Sequence, residues 1–231
     1  MTSEERIEAL LKRVEELERR AQRHEDIQAV RTLQFKYGYY MDKCLFAEIV
    51  DLFSEQAELR FMGGVFHGKE GARRLYGGSS GLNGPVDGML FEHLIVQDIV
   101  DISPDGRTAY GRFRTFMQGG VHETKKDAPP QIPGQFWEGG IYENEYVKEG
   151  GVWKIARLHF YVTGFTDYDL GWTKSAIPLA GPSAAIPPDK PPTEVYRGFP
   201  GAYIPPYHYA HPVTGEPLNI PEPADTLLGR K

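Results

Sequence analysis

The sequence contains a single cysteine, Cys44, among 231 residues. One thiol excludes an internal disulfide framework and a zinc site built on several thiolates. A basic surplus is also lacking, because 26 Lys and Arg stand against 32 Asp and Glu, for a formal charge of −6. No segment supplies the basic face that phosphate binding needs, so we expect no nucleic-acid partner.

Long apolar runs are absent as well. No stretch approaches the roughly 18 apolar residues of a membrane span, and the charged start MTSEERIEALLKR does not resemble a signal peptide. Together with the lone cysteine, these absences lead us to expect a soluble cytoplasmic protein with no membrane partner. Hydrophobic residues (40%) and aromatic residues (12%) are plentiful enough to build a core and to line an apolar pocket.

The N-terminus predicts an amphipathic helix that begins at a capping box. Thr2 and Glu5 have the required spacing. Apolar residues then recur three and four positions apart, as at the a and d positions of heptads: Ile7, Leu10, Val14, Leu17 and Ala21. We expect residues 1–24 to form either an oligomerisation helix or a helix packed on its own domain.

The middle of the chain predicts an α+β domain over residues 25–169. Helical periodicity is found first, at about 24–40, 46–53 and 69–76. β-branched runs bounded by turn residues follow, at 91–102, 108–118, 137–148 and 152–165. Helices followed by an antiparallel meander indicate a curved sheet with helices packed on one face.

Residues 170–231 have a different character. Thirteen of the 18 prolines lie beyond Asp167, a composition that usually indicates disorder. The same segment carries an unusual aromatic load: Tyr196, Phe199, Tyr203, Tyr207, His208 and Tyr209. We therefore predict an irregular, Pro-rich arm that packs across its own domain or across a neighbouring subunit.

Two catalytic motifs can be set aside. Residues 77–81 (GGSSG) match the string of a nucleophile elbow, but a helix precedes them and Gly84-Pro85 follows, so the strand–turn–helix setting is missing. They also lack the Gly-Lys-Ser/Thr ending of a phosphate loop, and we interpret them as a plain loop. We predict neither a cofactor nor a metal, with a mononuclear site that uses His93 and His159 as the alternative.

Three stretches carry a family resemblance. They are FKYGYYMD at 35–42 with the helix at 46–53, EHLI at 92–95, and GVWKIARL at 151–158 followed by DYD at 167–169. Together they resemble the SnoaL-like branch of the nuclear transport factor 2-like superfamily, and within it scytalone dehydratase. The resemblance implies a cone-shaped α+β barrel. The heptad helix and the arm predict a homo-oligomer, and the resemblance to scytalone dehydratase implies a trimer.

The resemblance also implies a catalytic pair. In scytalone dehydratase an aspartate at the end of the first core helix orients a strand histidine, which acts as acid and base in removing water. The matching residues here are Asp42 and His93. Other positions differ from those of scytalone dehydratase. Met41 stands where that enzyme has a tyrosine, and the region of its second catalytic histidine reads Met117-Gln118-Gly119 here. The pair is therefore expected, with a substrate other than the family's naphthalenone.

Further groups are predicted around this pair. Tyr40 and His159 are candidates for a second acid–base group, and strand alternation predicts that His159 shares a face with Trp153 and Ile155. The same alternation places Phe91 on the face of His93. The residues predicted to contact a substrate are Tyr39, Phe91, Arg114, Met117, Trp137 and Tyr142.

These features predict a cofactor-independent lyase acting on a hydroxylated aromatic small molecule, either lignin-derived and diaryl or polyketide-like. The chain also resembles, in its general build, the bacterial diarylpropane or phenylcoumaran γ-formaldehyde lyases. The expected reaction is therefore either dehydration or deformylation with release of formaldehyde. One alternative is a non-catalytic binding protein of the same fold, in which Asp42 and His93 do not touch. Another is the structural β subunit of a ring-hydroxylating oxygenase.

Overall fold

A computed structural model describes residues 1–78, 84–126, 134–178, 181–193, 199–201 and 203–219. The elements in chain order are α1 (Ser3–Asp42), α2 (Phe46–Asp51), β1 (Phe53–Phe61), β2 (Gly64–His67), α3 (Gly68–Gly78), β3 (Met89–Ile102), β4 (Thr108–Val121), β5 (Gln135–Glu149) and β6 (Val152–Asp167). Residues 79–81 of the predicted loop lie outside the described residues. Within the described ranges, no helix combines the length and the apolar composition that crossing a membrane requires.

One six-stranded sheet, in the order β2-β1-β6-β5-β4-β3, forms the body of the fold. β1 and β6 are parallel, and all other neighbours are antiparallel. The sheet is curved but not closed, because β2 and β3 are both edge strands. Bulges in the long strands shift the register and increase the local bending. This is the cone-like α+β architecture that the sequence predicts.

The two faces of the sheet contact different parts of the chain. The face towards the helices, called the inner face below, buries Phe113 of β4, Tyr146 of β5 and Leu158 of β6 against Val30 of α1. Side chains alternate along a strand, so the residues between these lie on the opposite, outer face. The core of the protein therefore lies between the inner face and the helices.

α1 runs without interruption for 40 residues. The sequence predicts a break near His24 between two helices, and this prediction is wrong. Neither glycine nor proline occurs between Met1 and Tyr37, so no residue ends the helix locally. All residues from 1 to 25 are exposed, and Asp26 is the first that is buried. The predicted boundary near residue 24 is therefore a change in burial within one helix.

The second half of α1 is held on β3 by polar contacts spaced along the strand. Arg31 forms a two-point ion pair with Asp98, with N–O distances of 2.7 and 3.0 Å. Arg23 donates a hydrogen bond of 2.7 Å to the carbonyl oxygen of Ile102. A guanidinium that binds a carboxylate at two points restricts rotation as well as distance. These contacts fix the position along β3 at which the end of α1 contacts the strand.

Residues 203–209 of the C-terminal arm lie across the outer face of its own sheet, while Lys190 pairs with Val65 of the edge strand β2. The guanidinium of Arg112 on β4 lies 4.2 Å from the ring centre of Tyr207 and donates to the carbonyl oxygen of Pro205 (3.3 Å). Arg112 also forms an ion pair with Glu143 of β5, whose other oxygen lies 3.0 Å from Nδ1 of His208. The arm therefore adopts one of the two arrangements that its composition predicts.

Candidate active site

Gly38 brings the end of α1 close to β3. A Cβ at this position would lie 2.8 Å from Cδ1 of Ile95 and 3.2 Å from the carbonyl oxygen of His93. Asp42 ends the helix four residues later, on the same side and one turn further along. The missing side chain at Gly38 thus allows the carboxylate of Asp42 to reach the strand.

Asp42 binds His93 through both its backbone and its ring. Oδ1 of Asp42 accepts a hydrogen bond of 2.6 Å from the backbone N–H of His93 and lies 2.9 Å from ring atom Nδ1. The two side chains are only 15% and 8% exposed. A carboxylate can only accept, so we assign the proton to Nδ1. This tautomer leaves the lone pair on Nε2, the nitrogen available to a substrate.

Strand register places two more residues in a row with His93 on the inner face. β3 pairs His93 with Met117, and β4 pairs Met117 with Glu138. With strands about 4.8 Å apart, the backbones of His93 and Glu138 are about 10 Å apart. His93, Met117 and Glu138 therefore form one row across three neighbouring strands.

Glu138 is partly buried, and no Lys or Arg of the described residues lies within ion-pair distance of it. Burial raises the pKa of Glu138 from 4.5 to about 7. Its protonated and ionised forms therefore coexist at neutral pH, as a general acid or base requires. Glu138 is absent from the residues that we predicted, although it lies four positions before Tyr142 and so on the same face. That alternation is the signal that could have found it.

Three tyrosines form a buried hydroxyl network near Glu138. The hydroxyl of Tyr37 lies 3.1 Å from that of Tyr76 and is also hydrogen-bonded to Tyr142. Burial raises the pKa of Tyr37 to about 12 and raises the pKa values of Tyr76 and Tyr142 well above the usual 10. These hydroxyls therefore keep their protons, and they suit hydrogen bonding better than proton transfer.

A groove of about 500 Å³ opens between α1 and β3 beside the Asp42–His93 pair. Its walls are formed by Phe35, Tyr39, Asp42, Glu92, His93, Leu94, Ile95 and Val96. Tyr39 is 72% exposed, whereas Tyr40 packs against the core. Phe91 is partly buried and lies on the face of His93, as alternation predicts. Of the predicted residues on this side, Tyr39 lines the groove beside the pair, whereas Tyr40 and Phe91 are partly buried and are not among the residues that form its walls.

Arg114 and Trp137 lie on the outer face and do not join this group. Nε of Arg114 donates a hydrogen bond of 3.1 Å to Gln97. Trp137 stacks on Phe116 and Tyr168, with ring centres 4.9 and 4.6 Å apart. The reason is alternation, because Met117 and Glu138 face inwards and residues an odd number of positions away face outwards. We therefore leave both residues out of the proposed site.

His159 also lies on the outer face, and the prediction that it shares a face with Ile155 is wrong. A bulge shifts the register between the pairs Glu145–Arg157 and Tyr146–Ile155. The extra residue reverses the alternation, so Ile155 enters the core while His159 does not. Nδ1 of His159 lies 3.1 Å from the hydroxyl of Tyr161, and the two rings stack.

This reversal also bears on the metal alternative. His93 lies on the inner face of an edge strand and His159 on the outer face of a central one, so they cannot share an ion. Over the parts of the chain that the structure describes, no three His, Cys, Asp or Glu side chains are grouped as metal ligands.

Comparison with known proteins identifies the fold and the family. No curated protein matches the sequence. Among solved structures, the chain is similar to a candidate scytalone dehydratase from Novosphingobium aromaticivorans, with a TM-score of 0.53 and 19% identity over 71% of this chain and 97% of that one. It is also similar to a hexachlorocyclohexane dehydrochlorinase, LinA type 2, with a TM-score of 0.51 and 20% identity over 68% and 97% of the two chains. Residues 22–159, more than half of the chain, match the model of the SnoaL-like domain, and the protein therefore belongs to the SnoaL-like family.

Proposed function

We propose that the protein is a cofactor-independent lyase that uses acid–base catalysis on a hydroxylated aromatic molecule. The observation that carries the proposal is the 2.9 Å contact between Oδ1 of Asp42 and Nδ1 of His93 in a nearly buried setting. A carboxylate that fixes the tautomer of a histidine is a common arrangement in acid–base catalysis. The contact argues against the non-catalytic binding protein, for which we expected the two residues to lie apart.

His93 acts as the base in this proposal. Its Nε2 lone pair accepts a proton from the substrate, and imidazole is the side chain best suited to do so near neutral pH. The negative charge of Asp42 lies next to the ring and stabilises the imidazolium that forms. Asp42 therefore positions and supports the base without touching the substrate.

Glu138 acts as the acid on the other side of Met117. Its raised pKa of about 7 keeps a proton available where an ordinary carboxyl group would have lost it. The proton passes to the departing oxygen of the substrate. The hydroxyl network of Tyr37, Tyr76 and Tyr142 offers hydrogen bonds to oxygen atoms of the substrate and keeps its own protons.

The same acid and base support two courses. If His93 takes a proton from the carbon next to a benzylic C–O bond, the C–H electrons form a double bond and the protonated oxygen leaves. If His93 takes the proton of a terminal hydroxymethyl group, the O–H electrons form the carbonyl bond of formaldehyde. The electrons of the broken C–C bond then form the alkene and expel the benzylic oxygen. Neither course needs an oxidant or a reductant.

Two further observations support this class of reaction and substrate. The names of the similar structures, a candidate dehydratase and a dehydrochlorinase, both describe eliminations. The residues around the pair are mainly apolar or aromatic. Phe35 lines the groove with His93, Met117 is its partner across the strands, and Phe91 lies two positions before it on the same strand. Such walls favour an aromatic molecule and strengthen each polar contact by excluding water.

The test is a turnover assay on purified, metal-stripped protein. The panel contains phenolic diaryl propanediols, phenylcoumarans and hydroxylated polyketide rings, and the readouts are stilbene absorbance and formaldehyde release. We expect turnover that is lost in Asp42→Asn and retained in Asp51→Asn, an exposed carboxylate at the end of α2. Binding of a panel compound without turnover would favour the binding protein, and turnover unaffected by Asp42→Asn would contradict the proposed pair.

A further inference from the structure

Residues 3–25 of α1 form a helical segment in which every residue is exposed. A capping box of Thr2 and Glu5 starts it. Its apolar stripe is open to solvent, with exposed fractions between 48% and 64% for Ile7, Leu10, Leu11, Val14 and Leu17. A helix in water is only marginally stable without packing of its apolar face. The stripe is therefore a surface that lacks its partner.

The charges beside the stripe are arranged by sign. With Ile7 and Val14 at a positions, the g positions carry Arg6, Arg13 and Arg20, and the e positions carry Glu4, Leu11, Glu18 and Glu25. In a parallel pair of helices each g residue meets the e residue of the following heptad on the partner. Arg13 would then face Glu18 of a second copy, and Arg20 would face Glu25. In an antiparallel pair arginines would face arginines.

The pairing of these charges within the helix differs from that of its other charges. Lys12 and Arg19, on the side away from the stripe, form ion pairs with Glu8 and Glu16 at 2.7 Å. Arg13 and Arg20 form no ion pair with any residue that the structure describes. The arginines that flank the stripe are thus available to a partner.

From the exposed stripe and the sorted charges, we infer that residues 4–25 associate with the same segment of a second copy as a parallel, in-register coiled coil. The first two a positions carry β-branched Ile7 and Val14, and the first two d positions carry Leu10 and Leu17, a combination that favours two parallel strands. The third a position is Ala21 and the third d position is His24. The paired helices extend from two SnoaL-like domains and join them as a dimer, in place of the trimer that the resemblance to scytalone dehydratase implies. The inference does not depend on the proposed function.

The test is disulfide crosslinking of the full-length chain with cysteine at a d position. In Leu10→Cys, a parallel in-register coil places the two thiols next to each other, whereas an antiparallel one separates them. The native Cys44 is buried, and the unsubstituted chain measures its background. We expect a crosslinked dimer under mild oxidation, and its absence would overturn the inference.

Charge reversal then tests the register. Adding Arg13→Glu and Arg20→Glu to the Leu10→Cys chain should lower the crosslinked fraction at least about tenfold, because four attractive contacts per pair become repulsive. Adding Glu18→Arg and Glu25→Arg instead should have the same effect. Mixing the two variants should restore crosslinking between unlike chains, which shows that each variant still folds. Crosslinking that ignores these charges, or that is not restored by mixing, would contradict the parallel register.

Discussion

The outer face of the sheet carries charged side chains that are paired with one another, whereas the inner face carries a carboxyl group without a cation beside it in the described part of the chain. On the outer face Arg112 meets Glu143, and Glu143 meets His208 of the arm. On the inner face Glu138 has no cation within ion-pair distance among the described residues, and burial raises its pKa to about 7. Charges that are paired hold the structure together, whereas a carboxyl group left unpaired in a buried place can exchange a proton at neutral pH.

The largest expected effect comes from replacing one histidine on each face of the sheet with alanine. We expect His93→Ala to lower kcat by about 10³-fold, since removing a general base costs about 10² to 10⁴-fold. We expect His159→Ala, on the outer face, to leave the rate of the folded enzyme largely unchanged. Steady-state kinetics of both variants on the best substrate of the panel make the measurement. Equal losses in the two would show that the faces do not divide the chemistry.

The next largest effect is expected from Arg112→Met. Glu143 would lose its buried cation, and Tyr207 of the arm would lose its contact with the guanidinium of Arg112. We therefore expect the free energy of unfolding to fall by about 3 kcal/mol. Denaturant titration measures the loss, and limited proteolysis measures release of the arm. The double variant Arg112→Met/Glu143→Gln removes both charges and should recover part of the loss. If the double variant is no more stable than the single one, charge pairing does not hold the arm.

Glu138→Gln tests the inner face through pH. The pKa of Glu138 is about 7 in the folded protein, above the 4.5 of an unfolded chain, so the folded state binds more protons between these values. The free energy of unfolding therefore falls as pH rises from about 4.5 to 7 and is level above. The glutamine removes this loss, and we expect a gain of roughly 2 kcal/mol at pH 8 relative to pH 4.5.

Denaturant titrations at the two pH values measure this difference. Glu149→Gln, at the end of the same strand, is the control for introducing an amide. A gain for Glu138→Gln that is equal at both pH values would mean that the carboxyl group does not titrate between them.

The smallest effect is expected at Gly38, where the distance between α1 and β3 is set. In Gly38→Ala the new methyl group meets Ile95 and the carbonyl oxygen of His93, and we expect a loss of about 1–2 kcal/mol in stability. Activity should fall as well, because the helix end that carries Asp42 must move. The control is Gly77→Ala, since a Cβ there has no neighbour within 4 Å. An active, fully stable Gly38→Ala protein would show that the close approach is not needed.

Much of this arrangement follows from short stretches of sequence. The turn 103–106, the strand periodicity and the heptad spacing are local patterns, and the structure has a turn, strands and a helix at those places. Asp42 and His93 were predicted as a pair through the family resemblance, and the structure shows them in contact. The helix boundary near His24 was wrong because tertiary burial changes there while the local helix propensity does not.

The side of the sheet to which each strand residue points could be predicted from the sequence only in part. Alternation is a local rule, and it correctly places Phe91 with His93. It fails at His159 because one bulge in β6 reverses the alternation from Arg157 to Val162, after which a second shift in register follows. Whether a bulge forms depends on pairing with β5, which lies elsewhere in the chain. Glu138 is a different case, because alternation from Tyr142 gives its face, but only the pairing of β3, β4 and β5 brings it into the row of His93.

The sequence by itself thus determined the helical regions and the four long strands, where the chain changes character, and which residue types could carry acid–base chemistry. Only the tertiary structure decided which of those residues share a face and which lone carboxyl group becomes buried. The physical reason is the distance along the chain over which each effect acts. Helix and strand propensities depend on a few neighbouring residues. Register, bulges and desolvation depend instead on contacts between segments far apart in the chain.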